Sequence, residues 1–168
     1  MSLANHLNRL SERDARAALT KCCAAERWVE AMLQGRPYAS DASVFSAARD
    51  TWWRLTENDW QEAFAAHPQI GDLESLRAKY ADTAQWAGGE QSGVVGSSEA
   101  TLNRLAQLNS EYLRRFGYIF IVCATGKTAE QMLTLLEERL ANEHPAELQI
   151  AAAEQLQITL LRLGKLAT

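Results

Sequence analysis

Apolar side chains along this chain recur at steps of three and four, the spacing that lines one face of an α-helix. Ser11 ahead of Glu12-Arg13-Asp14 has the form of an N-cap, and Ala15, Leu19 and Cys22/Cys23 follow as a stripe. Residues 26–34 repeat the pattern with Trp28, Met32 and Leu33, and Gly35 with Pro37 just beyond marks the stop. Ser40 or Asp41 caps a helix running through Leu55, with Val44, Ala48, Thr51/Trp52 and Leu55 inside. Thr56 with Asp59 three residues on is close to a capping box and opens a helix over 56–66. Pro68 then pushes His67 out of the α region and ends it.

Further helices are predicted over 72–80, from Ser97 or Ser98 to Arg115, over 128–141, and over about 145–163. The third of these turns Met132, Leu133, Leu136 and Leu140 inward. The last opens on Pro145 and turns Leu148, Ala152, Leu156, Leu160 and Leu163 inward. Residues 84–92 read as a glycine-bearing loop, and only 118–124 read as strand. One isolated strand makes no sheet. The pattern predicts an all-α fold: a single compact domain of about seven to eight helices over residues 1–168.

Composition narrows the function more than the fold. The 168 residues are 47% hydrophobic and carry 17 basic and 21 acidic side chains, a net charge of −4. That excludes an intrinsically disordered chain and leaves no basic surplus for general nucleic-acid binding. The longest apolar stretch, 119–124, is far short of the ~20 residues a membrane helix needs. The N-terminus lacks the basic region and apolar run of a secretory signal, and the C-terminal Lys-Leu-Ala-Thr is not a peroxisomal address. Three cysteines, two of them adjacent, make neither a disulfide framework nor a C-x-x-C site. A reducing, bacterial-type cytoplasm fits, with no membrane and no nucleic-acid partner.

Two familiar motifs fail. Thr125-Gly126-Lys127-Thr128 follows an apolar run and precedes a helix, but the first glycine of a phosphate-binding loop would fall on Ile121. It reads as a loop and a helix cap. His6, His67 and His144 stand apart, with no H-x-x-x-H pair on a helix face, so no metal is expected.

Two loop segments remain. In Ala66-His67-Pro68-Gln69-Ile70-Gly71-Asp72, a histidine fixed by the following proline is a platform for an imidazole with a reference pKa of ~6.5, suited to proton transfer. Equally, His67 can simply end a helix and bond a carbonyl. In Trp86-Ala87-Gly88-Gly89-Glu90-Gln91-Ser92-Gly93, Glu90 and Gln91 open a helix, and a carboxylate beside an amide can hold a polar heterocycle. Taken alone, Glu90 is a capping residue on a solvated turn. Together His67 and Glu90 point to cofactor-free proton-transfer chemistry: isomerisation, hydration or decarboxylation.

His67-Pro68-Gln69-Ile70-Gly71, then Glu90-Gln91-Ser92-Gly93, then Phe116-Gly117-Tyr118-Ile119-Phe120-Ile121-Val122-Cys123-Ala124 resemble, in order and spacing, the 2-oxo-4-hydroxy-4-carboxy-5-ureidoimidazoline (OHCU) decarboxylases of urate degradation. The resemblance runs from Cys22-Cys23 and Trp28 to Leu161-Arg162-Leu163. It implies an all-α fold, commonly a homodimer, that decarboxylates OHCU to (S)-allantoin without a cofactor. By matching motifs, His67 and Glu90 are the implied catalytic residues. Pro68, Ala87, Gly88, Gly89, Gln91, Val122, Cys123, Ala124, Thr125, Gly126 and Arg162 are the implied substrate contacts. Two departures stand out: Ala87 replaces the serine of an S-x-x-E-Q motif, and Thr125-Gly126-Lys127 stands where some members carry arginine after the Cys-Ala pair. The competing readings are a non-catalytic helical interaction module, or a cofactor-free lyase acting on a related heterocycle.

Overall fold

Serine and threonine hydroxyls open the helices where the sequence places caps. In the computed structural model, which describes residues 1–68, 74–78, 80 and 94–168 (the backbone alone at 94–98), Ser11 accepts from the Asp14 N–H and opens Glu12–Cys22. Ser40, rather than Asp41, opens Asp41–Arg54 through a capping box with Ser43. Thr56 and Asp59 close a second box ahead of Glu57–Ala65, and Thr128 with Gln131 a third ahead of Ala129–Leu140. Each box pairs two backbone donors that the first turn leaves orphaned.

The helices in chain order are α1 (Leu3–Arg9), α2 (Glu12–Cys22), α3 (Glu26–Gln34), α4 (Asp41–Arg54), α5 (Glu57–Ala65), α6 (Val94–Phe116), α7 (Ala129–Leu140) and α8 (His144–Lys165). Residues 74–78 are helical as well, and no strand occurs among the described residues. The all-α expectation holds. Helix α6 departs from the prediction: it starts at Val94, so Ser97 and Ser98 lie within it rather than capping it. A cap is worth only ~1 kcal/mol, so it does not prevent the ladder from extending past it. Residues 118–124, predicted as a strand, form neither strand nor helix, because no neighbouring strand is there to pair with them among the described residues. The predicted loop over 84–92 lies outside the described residues.

The chain groups into two compact units, Met1–His67 with Ala152–Thr168, and Pro68–Ala151. In the first, Trp28, Trp52, Phe64, Leu7, Leu19, Met32 and Leu163 are fully buried. Buried indoles need acceptors, and each finds a main-chain carbonyl. Trp28 Nε1 donates to Ala48 O at 3.1 Å, Trp52 Nε1 to Ala152 O at 2.9 Å, and Trp60 Nε1 to Trp52 O at 3.0 Å. Trp28 and Trp52, predicted to face inward, are buried together with Trp60, while Trp53 is exposed. Gly35 is required by space: a Cβ there would lie 2.6 Å from the Tyr38 hydroxyl, which donates to Met32 O.

In the second unit, α6 and α7 close over Leu76, Tyr80, Leu102, Leu105, Leu108, Tyr112, Phe116, Met132 and Leu136. Inside this apolar shell sits an ionic cluster. Arg139 is buried and meets the fully buried Glu147 at 2.6 Å, while Tyr112 Oη donates to the same carboxylate at 2.6 Å. Asn142 Nδ2 bonds its other oxygen at 3.0 Å.

Candidate active site

The C-terminal end of α5 delivers His67. Its N–H bonds Phe64 O at 3.2 Å, closing the last turn, and the exposed Pro68 prevents the helix from continuing. The ring is half-buried, and its Nε2 lies 2.5 Å from Gln155 Oε1 on α8. Gln155 is 1% exposed and its Nε2 donates to Thr159 Oγ1 at 3.2 Å. The Thr159 hydroxyl donates in turn to Gln155 O at 3.0 Å. Burial pushes the His67 pKa below its ordinary 6.5, the Arg162 charge acts in the same direction, and the Gln155 hydrogen bond opposes both. At neutral pH the ring is therefore an uncharged imidazole, able to take up a proton.

Gln155, Thr159 and Arg162 are spaced four and three apart, so they lie on one face of α8. Arg162 Nη1 donates to Lys21 O at 3.4 Å. The cation also acts on the buried Cys22 and Cys23, yet burial prevails and raises their pKa values to about 12 and about 11. Since only the thiolate is nucleophilic, both thiols are inert near neutrality. Iodoacetamide at pH 8 should thus label the half-buried Cys123 and spare Cys22 and Cys23 until the protein is denatured, which peptide mass mapping would show.

In the second unit the irregular residues 118–124 lead into the turn that carries the predicted backbone contacts. Arg139 Nη1 donates to Ile121 O at 2.6 Å, and its guanidinium stands 4.5 Å over the Phe120 ring. Two glycines bracket the segment at positive φ: Gly117, at 82°, leaves α6, and Gly126, at 75°, makes the tight turn closed by Lys127 N–H to Ala124 O at 3.1 Å. Side chains other than glycine rarely adopt those angles. Lys127 Nζ caps Cys123 O at 2.7 Å. The Thr125–Thr128 motif is thus a turn and a helix cap, as read from the missing first glycine. Val122, Cys123 and Ala124 are half-buried, and Thr125 and Gly126 are exposed.

Of the residues singled out from the sequence, the first unit holds His67 and Arg162, within electrostatic reach of one another. Val122, Cys123, Ala124, Thr125 and Gly126 form one stretch of the second unit. Ala87, Gly88, Gly89, Glu90 and Gln91 lie outside the described residues. Gln155, Thr159, Arg139 and Glu147 were not singled out, although all four are buried polar groups. The available signal was a polar residue at an inward position of an apolar stripe. Among the described residues, no three His, Cys, Asp or Glu side chains are grouped to hold a metal ion, and no helix is long and apolar enough to cross a membrane.

Comparison with known proteins places these elements in context. The family described as OHCU decarboxylase matches residues 8–164. The chain is 41% identical to an Arabidopsis thaliana uric acid degradation bifunctional protein, over 86% of this chain and 45% of that protein. With a 2-oxo-4-hydroxy-4-carboxy-5-ureidoimidazoline decarboxylase of Amia calva it shares 31% identity, over 79% of this chain and 75% of that one. A crystal structure of OHCU decarboxylase in the presence of (S)-allantoin superposes with a TM-score of 0.69 at 36% identity, covering 88% of this chain and 94% of that one. The chain therefore spans less than half the length of the bifunctional plant relative and most of the length of the other two.

Proposed function

Because the chain belongs to the OHCU decarboxylase family, we propose that it removes CO₂ from OHCU and delivers (S)-allantoin, the third step of urate degradation. The observation that carries this reading is His67: a half-buried imidazole held by a buried amide, its pKa pushed down by burial, within a chain that the family matches from residue 8 to residue 164.

The substrate bears a carboxylate and a hydroxyl on one ring carbon, beside a conjugated ring nitrogen. Losing CO₂ leaves an electron pair that the ring itself can delocalise, so no separate electron sink is needed. The pair closes a double bond to the neighbouring, ureido-bearing carbon as the ring nitrogen takes up a proton. The hydroxyl then gives up its proton to become the carbonyl, and a proton must reach that neighbouring carbon from one face. In our reading His67 exchanges a proton with the hydroxyl or the ring as charge develops. Glu90 with Gln91 orients the ureido and ring N–H groups, and Arg162 offers a cation to an anionic group of the substrate. Pro68, Ala87, Gly88 and Gly89 line the ligand, and the backbone of Val122, Cys123, Ala124, Thr125 and Gly126 bonds its polar edges. We take the enzyme to be a cytoplasmic homodimer requiring no cofactor; its three free thiols suit a reducing compartment.

The test is stereochemical. Urate oxidase and hydroxyisourate hydrolase generate OHCU from urate, and adding this protein should speed the appearance of circular dichroism from (S)-allantoin. An interaction module would leave the decay rate unchanged and the product racemic, since nothing would select a face for the proton. A lyase for another heterocycle would do the same here yet act on its own substrate.

A further inference from the structure

A neutral imidazole has two tautomers, and only its unprotonated nitrogen can accept a proton. The hydrogen bonds behind His67 select between them. Thr159 Oγ1 meets Gln155 O at 3.0 Å, the Gln155 amide and the Cys23 thiol. The carbonyl can only accept, so the single hydroxyl proton goes to it, and toward the Gln155 side chain Thr159 acts as an acceptor. It therefore takes the Gln155 Nε2–H, at 3.2 Å, and turns the amide so that Oε1 faces His67. An amide oxygen only accepts, so the His67 nitrogen 2.5 Å away must donate. Gln155 and Thr159 are each 1% exposed, which leaves no solvent to offer the amide an alternative arrangement.

We propose that Gln155 is a positioning residue: its side-chain oxygen, clamped by Thr159, holds the His67 ring in the Nε2–H tautomer and leaves Nδ1 as the atom that exchanges the proton. The role presupposes that His67 performs the proton transfer proposed above, and it names the atom that does so. Residue types close to Gln at position 155 that lack an acceptor would preserve the packing while releasing the tautomer.

The experiment reads the ring directly, without substrate. In uniformly ¹⁵N-labelled wild-type protein at pH 8, long-range ¹H–¹⁵N correlation should show His67 Nε2 protonated and Nδ1 bare, with the ring assigned by its loss in His67→Ala. Gln155→Met should give a mixture of tautomers. Thr159→Val, which keeps Gln155 but frees the amide to flip, should populate the Nδ1–H form. In the coupled assay, Gln155→Met should lower kcat on the order of 10- to 100-fold while KM stays within about twofold, because orientation is lost rather than binding. A protonated Nδ1 in the wild-type protein overturns the proposal whatever the variants do. So do unchanged ring shifts in both variants, or a rise in KM with kcat intact. If the tautomer is found but His67→Ala decarboxylates OHCU at the wild-type rate, the positioning stands and the assigned reaction fails.

Discussion

Replacing His67 by alanine should slow the enzyme-dependent formation of (S)-allantoin by about 10²- to 10⁴-fold, the range that a general acid–base group supplies. Residual product should drift toward the racemate as uncatalysed decay overtakes it. The variant should still fold. It leaves the buried Gln155 oxygen without its donor, at a cost of about 1–3 kcal/mol, but it removes a half-buried ring rather than part of the tryptophan core. The same variant tests the titration of the ring. The folded-state pKa of His67 is lowered, so below the unfolded value of ~6.5 the unfolded chain binds more protons than the folded one. The contribution is fully present above that pH and is lost as pH falls through the folded value. Urea midpoints at pH 7.5 and 5.5 should therefore converge more in His67→Ala than in the wild type. Full rate and stereochemistry in His67→Ala would remove the residue from the mechanism.

Replacing Arg139 by methionine should lower stability by about 3–5 kcal/mol, since it strands the Glu147 carboxylate in an apolar shell. For a chain of this size that corresponds to a fall in Tm on the order of 10 °C. Three groups lose a partner at once: the Glu147 carboxylate, Ile121 O and, at 3.5 Å, the Tyr112 hydroxyl. The pair matters through what its loss exposes, not as a net source of stability. Removing both charges, as Arg139→Met with Glu147→Leu, should accordingly recover a large part of the loss. Since Arg139 also bonds the carbonyl of Ile121, the single variant should raise the KM for OHCU if the neighbouring backbone binds substrate as proposed. Equal urea midpoints for wild type and Arg139→Met would show that the cluster is dispensable.

Much of the architecture was legible because its determinants are local. A hydroxyl at an N-cap and an acceptor three residues later lie within one turn, so Thr56/Asp59 could be read from adjacent letters. The same holds for the turn at Gly126. Long-range polar pairs follow no such rule. Arg139 continues the inward series Ala129, Met132 and Leu136, where the pattern favoured Leu140. A charge there is stable only because Glu147 and Ile121 O wait for it, and neither is specified by the spacing. Likewise the series Leu148, Ala152 and Leu156 gave Leu160, whereas the structure turns Thr159 inward and leaves Leu160 partly exposed. His67 was identified by its proline and by motif resemblance. Its partner lies 88 residues further on, which no local pattern encodes.

That separation bears on how the protein is made. The unit containing His67 draws on residues 1–67 and again on 152–168, so its contacts close a loop of the whole intervening chain. Trp52 waits 100 residues for the Ala152 carbonyl, and Lys21 waits 141 for Arg162. On the ribosome the first five helices can form early, but their shared core stays open until α8 emerges. During that interval the apolar faces around Trp28 and Trp52 are without their last cover, and a nascent chain stalled before residue 152 is a natural client for a chaperone.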